Sequence, residues 1–233
     1  MKELIKNTFK SYDVDLTEKQ INQFEIYYNF LIEENQKYNL TAITEPKEVV
    51  VKHFVDSILP YKSIKDNSSM IDIGTGAGFP GIPLKIIKDD IKLTLLDSLQ
   101  KRINFLNMLI EKLNLKNVIT IHSRAEDYCS KTREQFDYAV SRAVASTPTL
   151  AEYLLPYVKV GGNVLMYKSE KLDDELISGQ KAIDVLGGKI EKIENYLLKE
   201  VESTRKILFI KKVYHTDKKY PRDKNLPKLK PIS

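Results

Sequence analysis

The sequence predicts an α/β domain with a mostly parallel, seven-stranded sheet that ends in an antiparallel hairpin and follows an N-terminal helical extension. Three observations support this fold class. From residue 69 onward, short apolar runs alternate with helical patterns of about 10–15 residues, as in a parallel sheet covered by helices on both faces. The last two strand patterns, residues 189–198 and 204–211, have only a short link between them. The first sixty residues show helical spacing alone.

The helical extension is predicted over residues 1–60. Thr17 and Gln20 have the spacing of a capping box, in which each side chain bonds to the backbone N–H of the other. The apolar positions of the helix that follows are Ile21, Phe24, Tyr28, Leu31 and Ile32. A second helix is expected after a cap at Thr44, with Pro46 in its first turn. It is expected to bury Val50, Phe54 and Ile58 and to end near Pro60, so that residues 61–233 form the main domain.

The elements of the main domain are predicted from periodicity. The predicted strands cover residues 69–73, 93–97, 118–122, 136–140, 163–167, 189–198 and 204–211, and the helices cover residues 82–88, 99–113, 149–157 and 172–186. Because glycine favours helix ends, Gly161 and Gly162 are expected to separate a helix from the fifth strand. The arrangement is that of a Rossmann-like sheet.

The most informative stretch joins the first predicted strand to the next helix. An apolar run that contains Asp72 leads directly into Gly74, Gly76 and Gly78. Glycine permits a positive φ and lets a ligand approach the backbone closely, and the following helix offers free N–H groups at its start. Asp97 ends the second strand, 21 residues after Gly76, which suits a carboxylate that accepts hydrogen bonds from a ribose. These features predict a nucleoside site rather than a turn without a ligand.

The order of these residues distinguishes between two nucleoside cofactors. A dinucleotide fingerprint has the spacing G-x-G-x-x-G and places a pyrophosphate at the helix start, whereas here the glycines alternate and Asp72 precedes them. A carboxylate repels a pyrophosphate but attracts S-adenosylmethionine, which carries an ammonium and a sulfonium group. We therefore expect the methyl donor S-adenosylmethionine. A nicotinamide-dependent oxidoreductase on a similar fold is the alternative.

The composition argues against several classes of protein. No run approaches the ~20 apolar residues of a membrane span, and the N-terminus lacks the apolar core of a signal peptide. Cys129 is the only cysteine, which fits a reducing cytoplasm. His53, His122 and His215 are far apart in sequence and indicate no metal site. We expect a cytoplasmic protein without a metal ion or membrane contact.

The net charge of +5 comes from the C-terminal segment. Residues 203–233 hold ten Lys or Arg and two acids, while residues 1–60 hold seven Lys and ten acids. Such a basic arm predicts a polyanionic substrate. Lys218, Lys219, Arg222 and Lys224 are the candidate phosphate contacts. The alternatives are a solvated tail and a tail that folds back over the sheet.

Three groups of motifs resemble one family. The first comprises residues 37–44 and 53–57, the second residues 72–81 and 97–102, and the third residues 124–126 and 141–145. With these motifs, the chain resembles the glucose-inhibited division protein B family, whose members are guanine-N7 methyltransferases of small-subunit ribosomal RNA. The resemblance runs from about residue 24 to the C-terminus. The residues around Asn39, and Phe79 and Pro80 after the glycines, distinguish this family from other methyltransferases. The resemblance implies a class I methyltransferase sheet and a protein that acts on 16S ribosomal RNA or the small ribosomal subunit. We expect a monomer.

The resemblance and the strand ends together define the candidate site. The expected contacts to S-adenosylmethionine are Gly74, Gly76, Gly78, Phe79, Asp97, Ala125, Glu126 and Arg142. Ala125 and Glu126 follow the third strand, where a small residue and an acid can border an adenine. Asn39, Thr41, His53 and Asp56 either shape the guanine side of the pocket or cap and join helices. No general base is expected, since N7 of guanine carries a lone pair and no proton.

Two positions depart from the family pattern. Glu34 stands where members often carry tryptophan, and Asn225 where they carry glycine. Asparagine is the next-best residue for a left-handed turn, so the backbone path of the tail is expected to survive. Two other functions stay open: a non-catalytic RNA-binding or ribosome assembly protein, and a methyltransferase for small molecules or proteins.

Overall fold

The computed structural model describes residues 1–142, 145–169 and 172–232, apart from the side chain of Asp174. One sheet contains the strands β1 (Ser69–Ile73), β2 (Lys92–Asp97), β3 (Val118–His122), β4 (Phe136–Arg142), β5 (Val158–Lys168), β6 (Gly188–Leu198) and β7 (Ser203–Lys212). The strand order is β3-β2-β1-β4-β5-β7-β6, and β7 runs antiparallel to both of its neighbours while β1 to β5 are parallel. The predicted Rossmann-like sheet with a terminal hairpin is confirmed.

Helices precede the sheet and connect its strands. They are α1 (Lys2–Ser11), α2 (Glu18–Tyr38), α3 (Pro46–Val49), α4 (Asp56–Ile58), α5 (Gly81–Ile87), α6 (Gln100–Lys112), α7 (Ala125–Thr132), α8 (Thr147–Leu154), α9 (Leu172–Val185) and α10 (Leu226–Leu229). A π-helical segment, Val50–Val55, joins α3 to α4. A π-helical turn holds about one residue more than an α-helical turn, so the side chains that follow it point in a different direction. Such segments are frequent at functional sites.

The N-terminal helices follow the predicted pattern with three corrections. The capping box of Thr17 and Gln20 starts α2 as predicted. The buried face of α2, however, includes Tyr27 and Phe30 instead of Tyr28 and Ile32, because its apolar positions recur every three residues. The cap of α3 is Glu45 rather than Thr44, and its carboxylate accepts from the backbone N–H at position 48 at 2.8 Å. Helix α1 was not predicted, although it buries two apolar side chains.

Two apolar clusters cover the two faces of the sheet. The larger cluster joins residues of α1, α2 and the π-helical segment, such as Phe9, Phe24 and Phe54, to Met70 and Leu93 of the sheet. The smaller one packs α8 and α9 against the opposite face. Residues 1–60 thus share an apolar core with the sheet. The division of the chain at residue 60 into a helical extension and a main domain stays a prediction. Among the residues described, no helix is long and apolar enough to cross a membrane.

The main domain differs from the prediction in three places, of which the first is the short helix α10 in the tail, which was not predicted. Helix α7 was missed, because its eight residues bury one apolar side chain, Cys129, and show no helical stripe. Strand β5 begins at Val158, so Gly161 and Gly162 lie inside it rather than between a helix and a strand. The register between β4 and β5 shifts near these glycines. A Cβ at Gly162 would lie 2.6 Å from the carbonyl oxygen of Asp137, which explains why glycine is required there.

Candidate ligand-binding cleft

A cleft of about 1130 Å³ opens at the carboxyl ends of the parallel strands. Strand β1 has β2 on one side and β4 on the other, so the chain leaves the sheet in opposite directions at this point. Ligands of open α/β sheets bind at such a switch point. The predicted site residues that line the cleft are Thr41, His53, Asp56, Gly74, Gly76, Phe79, Asp97, Ala125, Glu126 and Arg142. The segment after Arg142 includes Ala143 and Val144, which lie outside the described residues.

The glycine loop between β1 and α5 forms the floor of the cleft. Gly74 and Gly76 have φ angles of +71° and +61°, and nothing lies within 4 Å of the place where a Cβ of Gly76 would be. Gly78 does not line the cleft. A Cβ at Gly78 would lie 2.9 Å from the hydroxyl of Tyr27 and 2.8 Å from Ile82, so this glycine allows α2 to pack against the loop.

Asp72 supports the glycine loop from below. It is fully buried, and its Oδ2 accepts hydrogen bonds from Thr75 Oγ1 and from the N–H of Gly81, both at 2.8 Å. Its Oδ1 has no hydrogen-bond partner. Burial raises the pKa of Asp72 to about 7, because the charged form is poorly solvated there. Asp72 does not line the cleft itself and acts on it through Thr75, which does.

Asp97 connects the glycine loop to the start of α6. Its Oδ2 accepts from the N–H of Gly76 at 2.9 Å, and its Oδ1 accepts from the N–H of Leu99 at 3.0 Å. Nη1 of Arg102 lies 3.1 Å from Oδ2. The same nitrogen of Arg102 lies 3.4 Å from Oδ1. The carboxylate thus organises the loop and also lines the cleft, with the partly exposed Arg102 as the partner that a ligand hydroxyl would replace.

Glu126 provides an open acceptor on the neighbouring wall. It lies in the first turn of α7, next to Ala125, and is 8 % exposed. Its Oε1 is buried without a hydrogen-bond partner. A buried carboxylate oxygen without a partner is costly. A ligand that donates a hydrogen bond at this place would remove that cost.

Arg142, at the end of β4, lies in a network of paired charges. Its Nη1 is 2.8 Å from Oδ2 of Asp56, and the other carboxylate oxygen of Asp56 is 3.3 Å from Nε of Arg205. The guanidinium carbon of Arg142 also lies 4.9 Å from the ring centre of Phe79. Burial raises the pKa of Asp56, while the two arginines oppose the rise. Sequence analysis missed Arg205, because its position depends on the antiparallel placement of β7.

His53 is held neutral between Arg142 and Thr41. Nη2 of Arg142 is 3.3 Å from Nδ1, and Oγ1 of Thr41 is 2.8 Å from Nε2. Because arginine only donates, Nδ1 must accept, which places the ring proton on Nε2. The ring stacks on Phe79 at 4.5 Å. Burial and the adjacent Arg142 lower the pKa of His53 to about 3.

The remaining candidate residues lie outside the cleft. Asn39 caps the end of α2 in a left-handed conformation (φ +49°), which is a structural role. Arg222 binds Glu152, a wholly buried carboxylate, with Nε at 2.8 Å and Nη2 at 2.7 Å. Lys218, Lys219 and Lys224 are tail residues that do not line the cleft. Arg222 thus fits the alternative in which the tail folds back against the domain.

Further polar residues of the cleft were not among the predicted site residues. They include Lys52, Arg124, Tyr153, Lys168 and Asn225. Asn225 adopts the left-handed conformation that was predicted for it, with φ +58°. Arg124 lies in the motif of residues 124–126. Its place two residues before Glu126 is the feature of the sequence that could have identified it as a cleft residue. Within the described part of the chain, no group of three or more His, Cys, Asp or Glu side chains could hold a metal ion.

Sequence comparisons connect the chain to a known family. The family model GidB, described as rRNA small subunit methyltransferase G, matches residues 20–208. A protein from Desulforamulus reducens named Ribosomal RNA small subunit methyltransferase G is 48 % identical over 233 residues, covering 98 % of this chain and 97 % of the relative. A protein of the same name from Lachnoclostridium phytofermentans is 50 % identical over 227 residues, covering 96 % and 94 %.

Solved structures support the fold. An rRNA methylase from Streptococcus thermophilus has a TM-score of 0.51 at 16 % identity, covering 69 % of this chain and 95 % of its own. A SAM-dependent methyltransferase from Aquifex aeolicus has a TM-score of 0.54 at 16 % identity, covering 71 % and 93 %. At this level of identity the likeness concerns the fold alone.

Proposed function

This chain belongs to the family of rRNA small subunit methyltransferase G, and we propose that it transfers a methyl group from S-adenosylmethionine to N7 of a guanine in 16S ribosomal RNA. The observation that carries the proposal is the cleft in which the open glycine loop faces Asp97 and Glu126. The relatives' names support methylation of small-subunit ribosomal RNA. The choice of guanine and of its N7 atom rests on the family resemblance. It also rests on the chemistry of N7, which carries no proton and so needs no general base.

The donor half of the cleft, defined as Gly74, Gly76, Asp97, Ala125 and Glu126, fits S-adenosylmethionine. Open space above Gly76 admits a ligand against the backbone. Asp97 can accept from ribose hydroxyls, and the unpartnered Oε1 of Glu126 can accept from the amino group of adenine. When bound, the donor supplies an electrophilic methyl group on a sulfonium centre. Because Asp97 is fixed by hydrogen bonds from the backbone N–H groups of Gly76 and Leu99, it can orient the donor without rearrangement.

The other side, the ion-pair half, comprises His53, Asp56, Arg142 and Arg205. None of these four is suited to remove a proton at neutral pH. The only free lone pair of His53 faces Arg142 and its pKa is about 3, while Asp56 is paired with two arginines. This half therefore supports a substrate that needs no deprotonation, and N7 of guanine is such a substrate. Its contribution to the rate is then the placement of the base in line with the donor.

The cations at the rim of the cleft are the expected RNA contacts. Arg124 and Arg102 are 53 % and 34 % exposed at their side chains, so their charges can reach phosphates. In the tail, Lys218, Lys219 and Lys224 stay candidates for additional phosphate contacts, whereas Arg222 already pairs with Glu152. The proposed partner is 16S ribosomal RNA or the small subunit, bound by a cytoplasmic monomer.

Mapping the methylated atom tests the proposed function. Small subunits and 16S ribosomal RNA from cells that lack this gene are incubated with the protein and methyl-labelled S-adenosylmethionine, then digested to nucleosides and analysed by mass spectrometry. We expect the label in 7-methylguanosine. Label on another atom or nucleotide would refute the N7 assignment, and label in neither RNA substrate would refute the function. The Asp97→Ala variant, with its weakened donor site, serves as the low-activity control.

The pH dependence of the transfer step tests the proposed absence of a general base. Single-turnover rates at saturating donor and RNA should be flat between roughly pH 6.5 and 8.5, because no protein group has to take a proton. A bell-shaped profile that persists after controls for folding and RNA binding would contradict the mechanism.

A further inference from the structure

A side chain of the C-terminal segment lies on the wall of the donor half. Oδ1 of Asn225 accepts a hydrogen bond from Nη1 of Arg124 at 3.0 Å, across 101 positions of sequence. Since arginine can only donate, the amide oxygen of Asn225 must face it. Both residues line the cleft. The tail therefore contributes a side chain to the wall of the cleft.

Arg124 lies between two acceptors and bonds to one of them. The same nitrogen, Nη1, is 3.8 Å from Oε1 of Glu126, which is too long for a hydrogen bond. That oxygen is the buried one without a partner. An arginine beside a carboxylate normally closes to a charge-assisted hydrogen bond. Here Asn225 accepts from the nitrogen that would otherwise bond to Glu126.

The position of Asn225 is fixed from both sides along the chain. Before it, Arg222 binds the buried Glu152 through two hydrogen bonds. After it, the carbonyl oxygen of Pro227 accepts from Thr149 Oγ1 at 2.9 Å. Asn225 itself is held in the left-handed region. The side chain is thus presented to Arg124 by a well-anchored turn.

We propose that Asn225 is a positioning residue for the methyl donor: it holds Arg124 away from Glu126 and so keeps Oε1 of Glu126 free for the amino group of the donor's adenine. The inference rests on the proposed function, because it needs a purine ligand at this wall. It also gives a specificity. A free carboxylate oxygen accepts from an amino group but repels a carbonyl oxygen at the same place. Asn225 should therefore favour adenine over hypoxanthine.

Calorimetric titration with two ligands tests this specificity. S-Adenosylhomocysteine carries the amino group, and S-inosylhomocysteine carries a carbonyl in its place. Asn225→Gly permits the same left-handed turn and removes the side chain that bonds to Arg124. We expect it to weaken S-adenosylhomocysteine binding by on the order of tenfold, with little loss for S-inosylhomocysteine, so that discrimination falls by a similar factor. Asn225→Asp retains an acceptor and should keep the wild-type discrimination.

The Arg124→Ala background separates positioning from mere support of the fold. Without Arg124, Glu126 is free whatever stands at position 225, so Asn225→Gly should have no further effect there. A tail that only stabilises the domain would instead weaken both ligands equally in both backgrounds, and that result would overturn the inference. Unchanged discrimination in Asn225→Gly would overturn it as well. If the wild type bound neither ligand, the proposed function itself would fail.

Discussion

The two halves of the cleft share the glycine loop but differ in how their charges are used. In the donor half, Glu126 keeps a buried carboxylate oxygen without a partner, and Asp97 organises the backbone while remaining on the wall. In the ion-pair half, Oδ2 of Asp56 accepts from Arg142 at 2.8 Å, and its Oδ1, which makes no hydrogen bond, lies 3.3 Å from Nε of Arg205. The arginine beside Glu126 stays 3.8 Å away, so that oxygen is open to a ligand, whereas both oxygens of Asp56 lie within 3.3 Å of an arginine nitrogen. In the proposed function, the first half is prepared for a ligand and the second half borders the space for the second substrate.

The largest expected effect comes from opening the ion-pair half. Asp56→Ala leaves Arg142 and Arg205 without their shared carboxylate, and breaking a buried pair in this way costs about 3–5 kcal/mol of unfolding free energy. Urea unfolding measures it. Glu48→Ala, which removes an exposed pair with Lys52, is the matched control and should cost less than about 1 kcal/mol. Equal, small losses in the two variants would show that the network around Asp56 is not a structural element.

The next largest effect concerns the donor half. Asp97→Ala should weaken S-adenosylhomocysteine binding by about 1–3 kcal/mol, because acceptors for ribose hydroxyls and for the N–H of Gly76 disappear together. Calorimetric titration measures it. Thr41→Ala, on the opposite side, should bind the ligand as the wild type does. Wild-type affinity in Asp97→Ala would remove this residue from the site.

A smaller net effect should appear in the pH dependence of stability. The raised pKa of Asp72, about 7, makes the folded protein lose stability as the pH rises from 3.8 to about 7, because the folded state holds the proton more tightly. The lowered pKa of His53, about 3, has the opposite sign, since only the unfolded chain takes the proton between about pH 3 and 6.5. The two contributions oppose each other in the wild type.

Removing either group should reveal the other. Between about pH 4 and 6.5, the slope of stability against pH should be more positive in Asp72→Asn than in the wild type, and more negative in His53→Gln. Urea midpoints measured at several pH values give these slopes. Parallel curves for the wild type and both variants would show that neither group titrates as its burial requires.

The smallest expected effect is on RNA binding, through the three exposed lysines of the tail. Changing Lys218, Lys219 and Lys224 to Gln should flatten the slope of log RNA affinity against log salt by up to about 0.7–0.9 per lost contact. Donor affinity and stability should not change. Arg222→Gln should instead lower thermal stability, because the buried Glu152 loses its partner. An unchanged salt slope in the triple variant would end the phosphate-contact proposal.

The donor half was more predictable from sequence than the ion-pair half, for a physical reason. Strands β1 and β3 begin and end at the predicted residues. The loop after β1 and Asp97 at the end of β2 follow directly from local patterns of apolar residues and glycine. The polar ends of neighbouring parallel strands must meet at one edge. Their proximity therefore needed no knowledge of distant contacts.

The rest depended on contacts that no local pattern encodes. Arg205 reaches Asp56 only because β7 inserts between β5 and β6. Asn225 reaches Arg124 only because the tail is anchored by the ion pair of Arg222 with Glu152. Gly78 has the same sequence signature as Gly76, yet it packs against Tyr27 from a distant helix. Tertiary packing thus decides between residues that look alike in sequence.

The most direct test of the account replaces N7 of the target guanine by carbon. A fragment of the ribosomal RNA substrate with 7-deazaguanine at the mapped position keeps the shape and the remaining hydrogen bonds of the base but has no lone pair at that atom. Single-turnover transfer from labelled S-adenosylmethionine is measured beside the binding of the same RNA. The account predicts normal binding and no transfer to the 7-deaza substrate. Transfer at a rate near that of the unmodified RNA would contradict it.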